Sequence, residues 1–270
     1  MLPLDAIIEG MISAAKEAGA YLKSMQLRVR DLEVETKSLN SFVTEADKTS
    51  EAMLIQRLEA LVPEAGFIAE EGTKSDQGQR HRWIIDPLDG TTNFIHGLPS
   101  YCISLALADG DRLLAGVIYE PNLDECFHAH ADGPAFLNGK PIRVSKAQTA
   151  KDSLLATGFP YHDYGKMQAY LDVLGHLMQN THGLRRWGSA AIDLAYVACG
   201  RFDAFYEYGL QPWDVAAGAL IVQQAGGKVS TFSGGNDFVF GQEILASNGH
   251  THAELLDAIC SRFPVNLRPD

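Results

Sequence analysis

Apolar residues recur at helical spacing through Leu4, Ile7, Ile8, Met11, Ile12, Ala15, Ala18 and Leu22. Glu9, Ser13, Lys16 and Lys23 fill the other face, so the chain opens on an amphipathic helix. Periodicity then fades over about residues 26–40, which read as a polar connection. Thr44-Glu45-Ala46-Asp47 opens a second helix with Leu54, Leu58 and Leu61 on its apolar face, stopped by Pro63. A short strand, Gly66 to Ala69, ends in Glu70-Glu71. After a polar loop (Gly72 to Arg80), the strand Trp83–Ile85 follows.

From Tyr101 the pattern changes to short apolar runs separated by turns: Cys102–Ala108, Leu113–Tyr119, Glu125–Ala129 and Ala135–Leu137. Asn138-Gly139 is a strong hairpin signal, and the stretch reads as an antiparallel meander. Beyond Ser145 strands and helices alternate. Strands are expected at Leu154–Thr157, Asp203–Tyr206, Lys228–Thr231 and Ile244–Ala246. Helices are expected around Met167–Met178, Ala190–Ala198, Val215–Ala225 and Ala253–Arg262. The chain therefore divides into a helix-plus-antiparallel-sheet half, residues 1–145, and an α/β half, residues 146–270, in one compact unit. The crevice between two such halves is where a ligand is expected.

Composition narrows the function. With 34 acidic against 22 basic residues, the formal charge is −12. That argues against non-specific nucleic-acid binding, which needs Lys and Arg facing phosphates. A small anionic substrate remains compatible, because bound cations invert the local field. The four cysteines (Cys102, Cys126, Cys199, Cys260) form no CxxC pair and fit reduced, buried thiols. No stretch has the length of a bilayer span. Asp5, Glu9, Lys16 and Glu17 interrupt any apolar signal region, so the expected location is the cytoplasm, away from membranes.

The most informative stretch is Trp83-Ile84-Ile85-Asp86-Pro87-Leu88-Asp89-Gly90-Thr91-Thr92-Asn93. An apolar strand runs into two aspartates three residues apart. Pro87 holds the chain extended after the first, and Gly90 allows a tight turn after the second. Carboxylates brought together repel unless a cation sits between them. Acidic ligands without clustered His or Cys select Mg²⁺ or Mn²⁺ over zinc. Pro87 excludes an EF-hand, and the chain has no Walker A loop, GxGxxG, GxSxG or HExxH. Singly, other residues have plain readings. Asp214 after Pro212-Trp213 reads as a helix N-cap, and Asp47 as the partner of Thr44 in a capping box. Glu70-Glu71 reads as a solvated loop. His128 and His130 read as strand histidines, and His250 and His252 as loop histidines. Arg185-Arg186-Trp187 reads as a solvated pair or a grip for an anion or a partner.

Together these residues resemble the inositol monophosphatase family in its bacterial type. The resemblance rests on Glu70-Glu71, on Asp86-Pro87-Leu88-Asp89-Gly90-Thr91-Thr92, and on Trp213-Asp214-Val215-Ala216-Ala217-Gly218 with Gly226-Gly227 downstream. Lys37 and Thr44-Glu45-Ala46-Asp47 extend it toward the N-terminus, and Gly188-Ser189-Ala190-Ala191 and Glu207 extend it through the second half. It implies a layered αβαβα fold, a homodimer, lithium sensitivity and Mg²⁺-dependent phosphomonoester hydrolysis, with Mn²⁺ able to substitute. By resemblance, Glu70, Asp86 and the Leu88 carbonyl hold one metal, and Asp86, Asp89 and Asp214 a second. A third, weaker ion lies near Glu70. Thr91, hydrogen-bonded to Asp47, activates the attacking water, and N–H groups of Gly90 and Thr91 grip the phosphate. Asp89, Gly188, Ser189, Ala190, Glu207 and Asp214 meet the substrate; Glu71, Thr92 and Lys37 support them. Ser41 departs from the family's usual Asp, which bears on the third metal.

The expected substrate is a small polyol or sugar phosphate, inositol 1-phosphate first. Fructose 1,6-bisphosphate, histidinol phosphate and 3′-phosphoadenosine nucleotides are the alternatives. A partner-binding role in RNA-related complexes is the rival of another class.

Overall fold

The computed structural model describes residues 2–26, 34–38, 41–72, 74, 79–160 and 164–263, with segments 34–38 and 41–44 given by their backbone alone. Helix α1 (Leu4–Gln26) buries the predicted stripe of Ile7, Ile8, Met11, Ala15, Ala18 and Leu22. The stretch expected to be an irregular connection instead contains two strands, β1 (Val34–Ser38) and β2 (Ser41–Thr44), paired antiparallel. Strands of four and five residues, with the sequences Val-Glu-Thr-Lys-Ser and Ser-Phe-Val-Thr, gain their order from backbone pairing. They leave no apolar period for a sequence pattern to reveal. The side chains of Lys37, Ser41 and Thr44 lie outside what is described.

Helix α2 (Glu45–Leu61), β3 (Gly66–Ala69), β4 (His81–Asp89) and the short α3 (Thr91–Ile95) follow. Strand β4 runs further than the three apolar residues that announced it. Next come β5 (Cys102–Asp109), β6 (Arg112–Glu120), β7 (Glu125–His130), β8 (Phe136–Leu137) and β9 (Lys140–Pro141). The predicted hairpin forms at Asn138-Gly139, whose φ angles of 48° and 74° give the left-handed pair that a two-residue turn demands. The second half contains β10 (Leu154–Thr157), α4 (Met167–Asn180), β11 (Gly183–Arg185), α5 (Ala190–Ala198), β12 (Ala204–Tyr208), α6 (Pro212–Gln224), β13 (Lys228–Ser230), β14 (Glu243–Ser247) and α7 (His252–Cys260).

Strands β3 to β9 form a seven-stranded sheet in chain order, antiparallel except for the parallel β3–β4 pair. The second sheet has the order β11-β10-β12-β14-β13. Helices α1 and α2 cover one face of the large sheet, and α5 and α6 lie between the two sheets. Helices α4 and α7 cover the far face of the small sheet. The layering is αβαβα, as the resemblance implied.

Because helices bury both faces of the large sheet, its central strands are continuously apolar. The face toward α1 and α2 carries Trp83, Ile85, Ile103, Leu105, Leu107 and Val117. The face toward α6 carries smaller residues, including Ala106, Ala108 and Ala129. Gly116 belongs to this smaller face. A Cβ there would lie 3.0 Å from Ala217 O and 3.1 Å from Ala217 Cα of α6. Small residues thus let α6 ride close to the strands that carry the acidic motif. Among the described residues, no helix is long and apolar enough to cross a membrane.

Candidate active site

Residues three apart on a regular strand point to opposite faces, so Asp86 and Asp89 should diverge. They converge because β4 is bulged: Asp86 pairs with Ser104 and Asp89 with Cys102, three steps on β4 against two on β5. Pro87, which has no N–H to give to the ladder, lies within the bulge. Both aspartates consequently lie on the face that meets α6. Gly90 then turns the chain into α3 at φ 94°, ψ 32°. A Cβ there would come within 2.8 Å of Ser100 O, so glycine is required for both conformation and space.

Two further carboxylates arrive by different routes. The parallel β3–β4 pairing aligns Ala69 with Ile85, so Glu70 emerges beside Asp86, its N–H donating to Ile85 O (3.2 Å). Helix α6 brings Asp214. Gln211, not Asp214 as the plain reading had it, is the N-cap of α6; Asp214 is the third helical residue, and its Oδ2 accepts from Gln211 N (2.6 Å) in a capping box. The same side chain also belongs to the cluster. Asp86, Asp89 and Asp214 each offer an oxygen, all within 4.8 Å of one another.

The electrostatics follow from this crowding. Burial, then the charges of Glu70, Asp89 and Asp214, hold Asp86 well above the usual carboxylate range. Asp214 is raised likewise, by burial first and then by Asp89. Burial pushes Asp89 up to about 6, against hydrogen bonds from Ser189, Ala191 and Gly90 and the charge of Arg186. These groups cannot all be ionised together unless a cation joins them. The donor set is oxygen throughout. The one nearby thiol, Cys102, has its pKa raised well above normal by burial, so it stays protonated and does not compete as a ligand. The residues fit a hard divalent cation.

Polar ties between the two halves hold the cluster. Asp89 Oδ2 accepts from Ser189 Oγ (2.6 Å) and Ala191 N (2.7 Å) at the start of α5. Ser189 simultaneously caps that helix by accepting from Ile192 N (3.2 Å). Ser104 Oγ donates to Trp213 O (3.0 Å) at the start of α6. On α2, Asp47, Ser50 and Glu51 form a buried polar face. Ser50 Oγ donates to Pro87 O (3.1 Å), and Glu51 Oε2 accepts from Glu71 N (2.8 Å).

The remaining site residues fall into place around this core. Thr91 Oγ1 donates to Leu88 O (3.0 Å), where the sequence reading expected Asp47 as its partner. Asp47 itself is buried at the start of α2. Glu207, at the carboxyl end of β12, is buried beside Gly158, and its carboxyl is pushed up to about 8 by burial. Gly188, at φ 97°, precedes Ser189 and Ala190 on the approach to α5.

Arg186, read in the sequence as one of a solvated pair or a grip for an anion or a partner, supplies the positive charge that faces Asp89, Glu207 and Asp193. Other residues escaped the sequence reading or were misread by it. Asp193, the one acidic residue in the apolar run Ala190–Ala198, is 1 % exposed. That interruption was its signal. His252, read as a loop histidine, is buried at the start of α7, with Ser230 Oγ and Ser247 Oγ each 2.9 Å from a ring nitrogen. His128 and His130 are as plain as expected: one stacks on Phe136, and the other lies 3.3 Å from exposed Asp5.

An oxygen-only acidic cluster at a strand end and a helix start, beside a glycine turn, defines a hard-metal site suited to phosphate esters. The chain belongs to the inositol monophosphatase family, whose model matches residues 4–263. That makes it a phosphatase of a metal-dependent type. It is 40 % identical over 265 residues to the inositol-1-monophosphatase of Mesorhizobium japonicum, covering 98 % of this chain and 99 % of that one. It is also 40 % identical over 262 residues to a Pseudomonas aeruginosa protein named Nus factor SuhB, covering 95 % and 97 %. Among solved structures, the extragenic suppressor protein suhB from Bartonella henselae superposes with a TM-score of 0.90 at 41 % identity, over 94 % of this chain and 98 % of that one.

Proposed function

We propose that the protein hydrolyses small polyol phosphates, inositol 1-phosphate first, using Mg²⁺, for which Mn²⁺ can substitute. The observation that carries this reading is the convergence of Asp86, Asp89 and Asp214 within 4.8 Å where the two halves meet. Glu70, Asp86, the Leu88 carbonyl, Asp89 and Asp214 are the residues to hold two ions, with a third near Glu70. Once bound, such ions neutralise phosphoryl charge and make water a stronger nucleophile near neutral pH.

The chain's own groups divide the rest of the work. The Thr91 hydroxyl donates its hydrogen bond to Leu88 O, so toward a water it accepts, which helps fix that water's orientation. Asp47 is the base that takes the proton. The water oxygen bonds to phosphorus, the bond from phosphorus to the alcohol oxygen breaks, and a proton returns to that oxygen. N–H groups of Gly90 and Thr91 hold the phosphate. Gly188, Ser189, Ala190 and Glu207 meet the leaving alcohol; the Glu207 carboxyl, pushed up to about 8, both accepts from polyol hydroxyls and, while protonated, donates to one. Glu71 and Thr92 support this arrangement, and Lys37 is assigned the same role by resemblance.

Rate measurements on purified protein with inositol 1-phosphate, fructose 1,6-bisphosphate, histidinol phosphate and a 3′-phosphoadenosine nucleotide test the assignment. A best substrate outside the polyol phosphates overturns it. Asp89→Asn should lower activity by at least about 10³-fold, since a ligand and a contact to Ser189 and Ala191 change together.

The name Nus factor carried by relatives favours a second reading, a partner-binding role in an RNA-related complex. The exposed Trp187 and Arg185 offer a surface for it. If a cellular phenotype survives Asp89→Asn, binding rather than hydrolysis underlies it. A homodimer is proposed on resemblance, and light scattering on the purified protein tests it.

A further inference from the structure

The loop that meets the alcohol is fastened to the turn that meets the phosphate by the Asp89 contacts to Ser189 and Ala191 and, further along the turn, by the side chain of Asn93. Asn93 of α3 is 8 % exposed, and its Nδ2 donates to Ser100 O (2.8 Å) and, across the two halves, to Trp187 O (3.1 Å). Both amide protons are therefore used on backbone carbonyls. Gly188 follows immediately: a Cβ there would lie 2.7 Å from Asn93 Nδ2 and 2.8 Å from an Arg186 guanidinium nitrogen. The next residue is Ser189, whose hydroxyl holds Asp89.

We propose that Asn93 is a specificity-determining positioning residue, latching the 187–189 segment against the α3 turn so that the distance between the phosphate and alcohol subsites is fixed. This rests on the polyol-phosphate reading above. Asn93 touches neither the metal ligands' carboxylates nor the phosphate-gripping N–H groups in the described contacts. Its removal should therefore fall on recognition of the alcohol. Aspartate has the shape of asparagine but no N–H to donate.

The test compares Asn93→Ala, Asn93→Asp and Gly188→Ala with the parent protein in saturating Mg²⁺. Substrates are inositol 1-phosphate and p-nitrophenyl phosphate, whose alcohol has no further hydroxyls. We expect kcat/KM for inositol 1-phosphate to fall about tenfold more than for p-nitrophenyl phosphate in both Asn93 variants, the loss expected for two hydrogen bonds of ordinary strength. Hydrogen exchange in a peptide spanning 186–192 should quicken in both, which reports the latch without any substrate. Gly188→Ala should cost less Tm in the Asn93→Ala background than in the parent, because the nearest obstacle to its Cβ is gone. Unchanged exchange at 186–192 overturns the latch. Faster exchange with an unaltered substrate ratio overturns its role in specificity. Failure of the underlying reading is seen separately, in a parent protein that shows no preference for polyol phosphates.

Discussion

Asp214 occupies its place only as far as α6 is allowed to approach the large sheet, and Gly116 governs that approach. Replacing Gly116 with Ala puts a Cβ 3.0 Å from Ala217 O and 3.1 Å from Ala217 Cα, where ordinary contact begins at 3.4 Å. Both obstacles are backbone, so no rotamer change relieves them, and α6 must retreat by a few tenths of an ångström. Ala217 is one helical turn from Asp214, and a hydrogen-bonded helix moves as a body, so the carboxylate retreats with it. Overpacking of this kind costs about 1–3 kcal/mol. For a chain of this size that is a fall in Tm of roughly 2–10 °C. Mg²⁺ demands oxygens at about 2.0–2.1 Å in near-ideal geometry, so even this displacement weakens binding. The expected result of an Mg²⁺ titration is a half-activating concentration raised about tenfold, with kcat at saturation within about threefold of the parent. Gly10→Ala is the control. Its Cβ meets the flexible Leu61 side chain at 2.6 Å, on the face of the large sheet opposite α6, so Tm can move either way while the Mg²⁺ requirement should stay unchanged. If Gly116→Ala lowers Tm and leaves the Mg²⁺ requirement untouched, close packing of α6 does not position Asp214 and the reasoning fails.

Three other outcomes follow from the same geometry. Mg²⁺ at about 100 times its dissociation constant should stabilise the fold by about 2.7 kcal/mol, raising Tm by several degrees in a thermal melt. EDTA should abolish that rise, and so should Asp214→Asn. Glu207 titrates near 8 in the folded protein against 4.5 in water, so the folded state holds its proton more tightly and stability falls as pH rises between those values. Glu207→Gln should therefore melt higher than the parent above pH 8, by a few kcal/mol at most, with the advantage shrinking toward pH 5; an advantage independent of pH refutes the assignment. Ser189→Ala removes both the α5 cap and a donor to Asp89, so a loss of about 1–2 kcal/mol in denaturant unfolding and a raised Mg²⁺ requirement should appear together.

The elements with a strong period or a strong turn were legible in the sequence. The α1 stripe, the antiparallel meander, the Asn138-Gly139 turn and the α/β alternation after Ser145 all appear where their residues indicate. The β1–β2 pair did not announce itself, because its strands are short and mostly polar, with Val34, Phe42 and Val43 too few to set a period. The site was legible as chemistry but not as register. Two aspartates three apart face opposite ways on a regular strand, and only the bulge opposite Cys102 and Ser104 turns them together. The fastening residues were the least visible. Asn93, Ser104 and Ser189 are ordinary polar residues whose fastening partners, Trp187, Trp213 and Asp89, lie 94 to 109 positions away, and no local pattern encodes such a distance.

That distribution of partners bears on how the two halves relate. The large sheet ends with β9 and the small sheet begins with β10, yet α5 and α6, which follow, pack against both. Without them the large sheet would present Ile84, Ala106, Ile118 and Phe127 to water, residues now 1 % exposed or less. Fully burying such side chains contributes about 1.5–3 kcal/mol for each of the larger ones, so the first half has much to lose by standing alone. The same two helices bring Ser189, Ala191 and Asp214 to the acidic strand end. Apolar burial therefore sets the position of the middle layer, and the middle layer sets the geometry of the carboxylates. Their mutual repulsion, tolerated because that burial offsets it, is released when a cation arrives. Fold stability and metal affinity are thus coupled through α5 and α6, and substitutions in this layer should alter the Mg²⁺ requirement even where they touch no ligand.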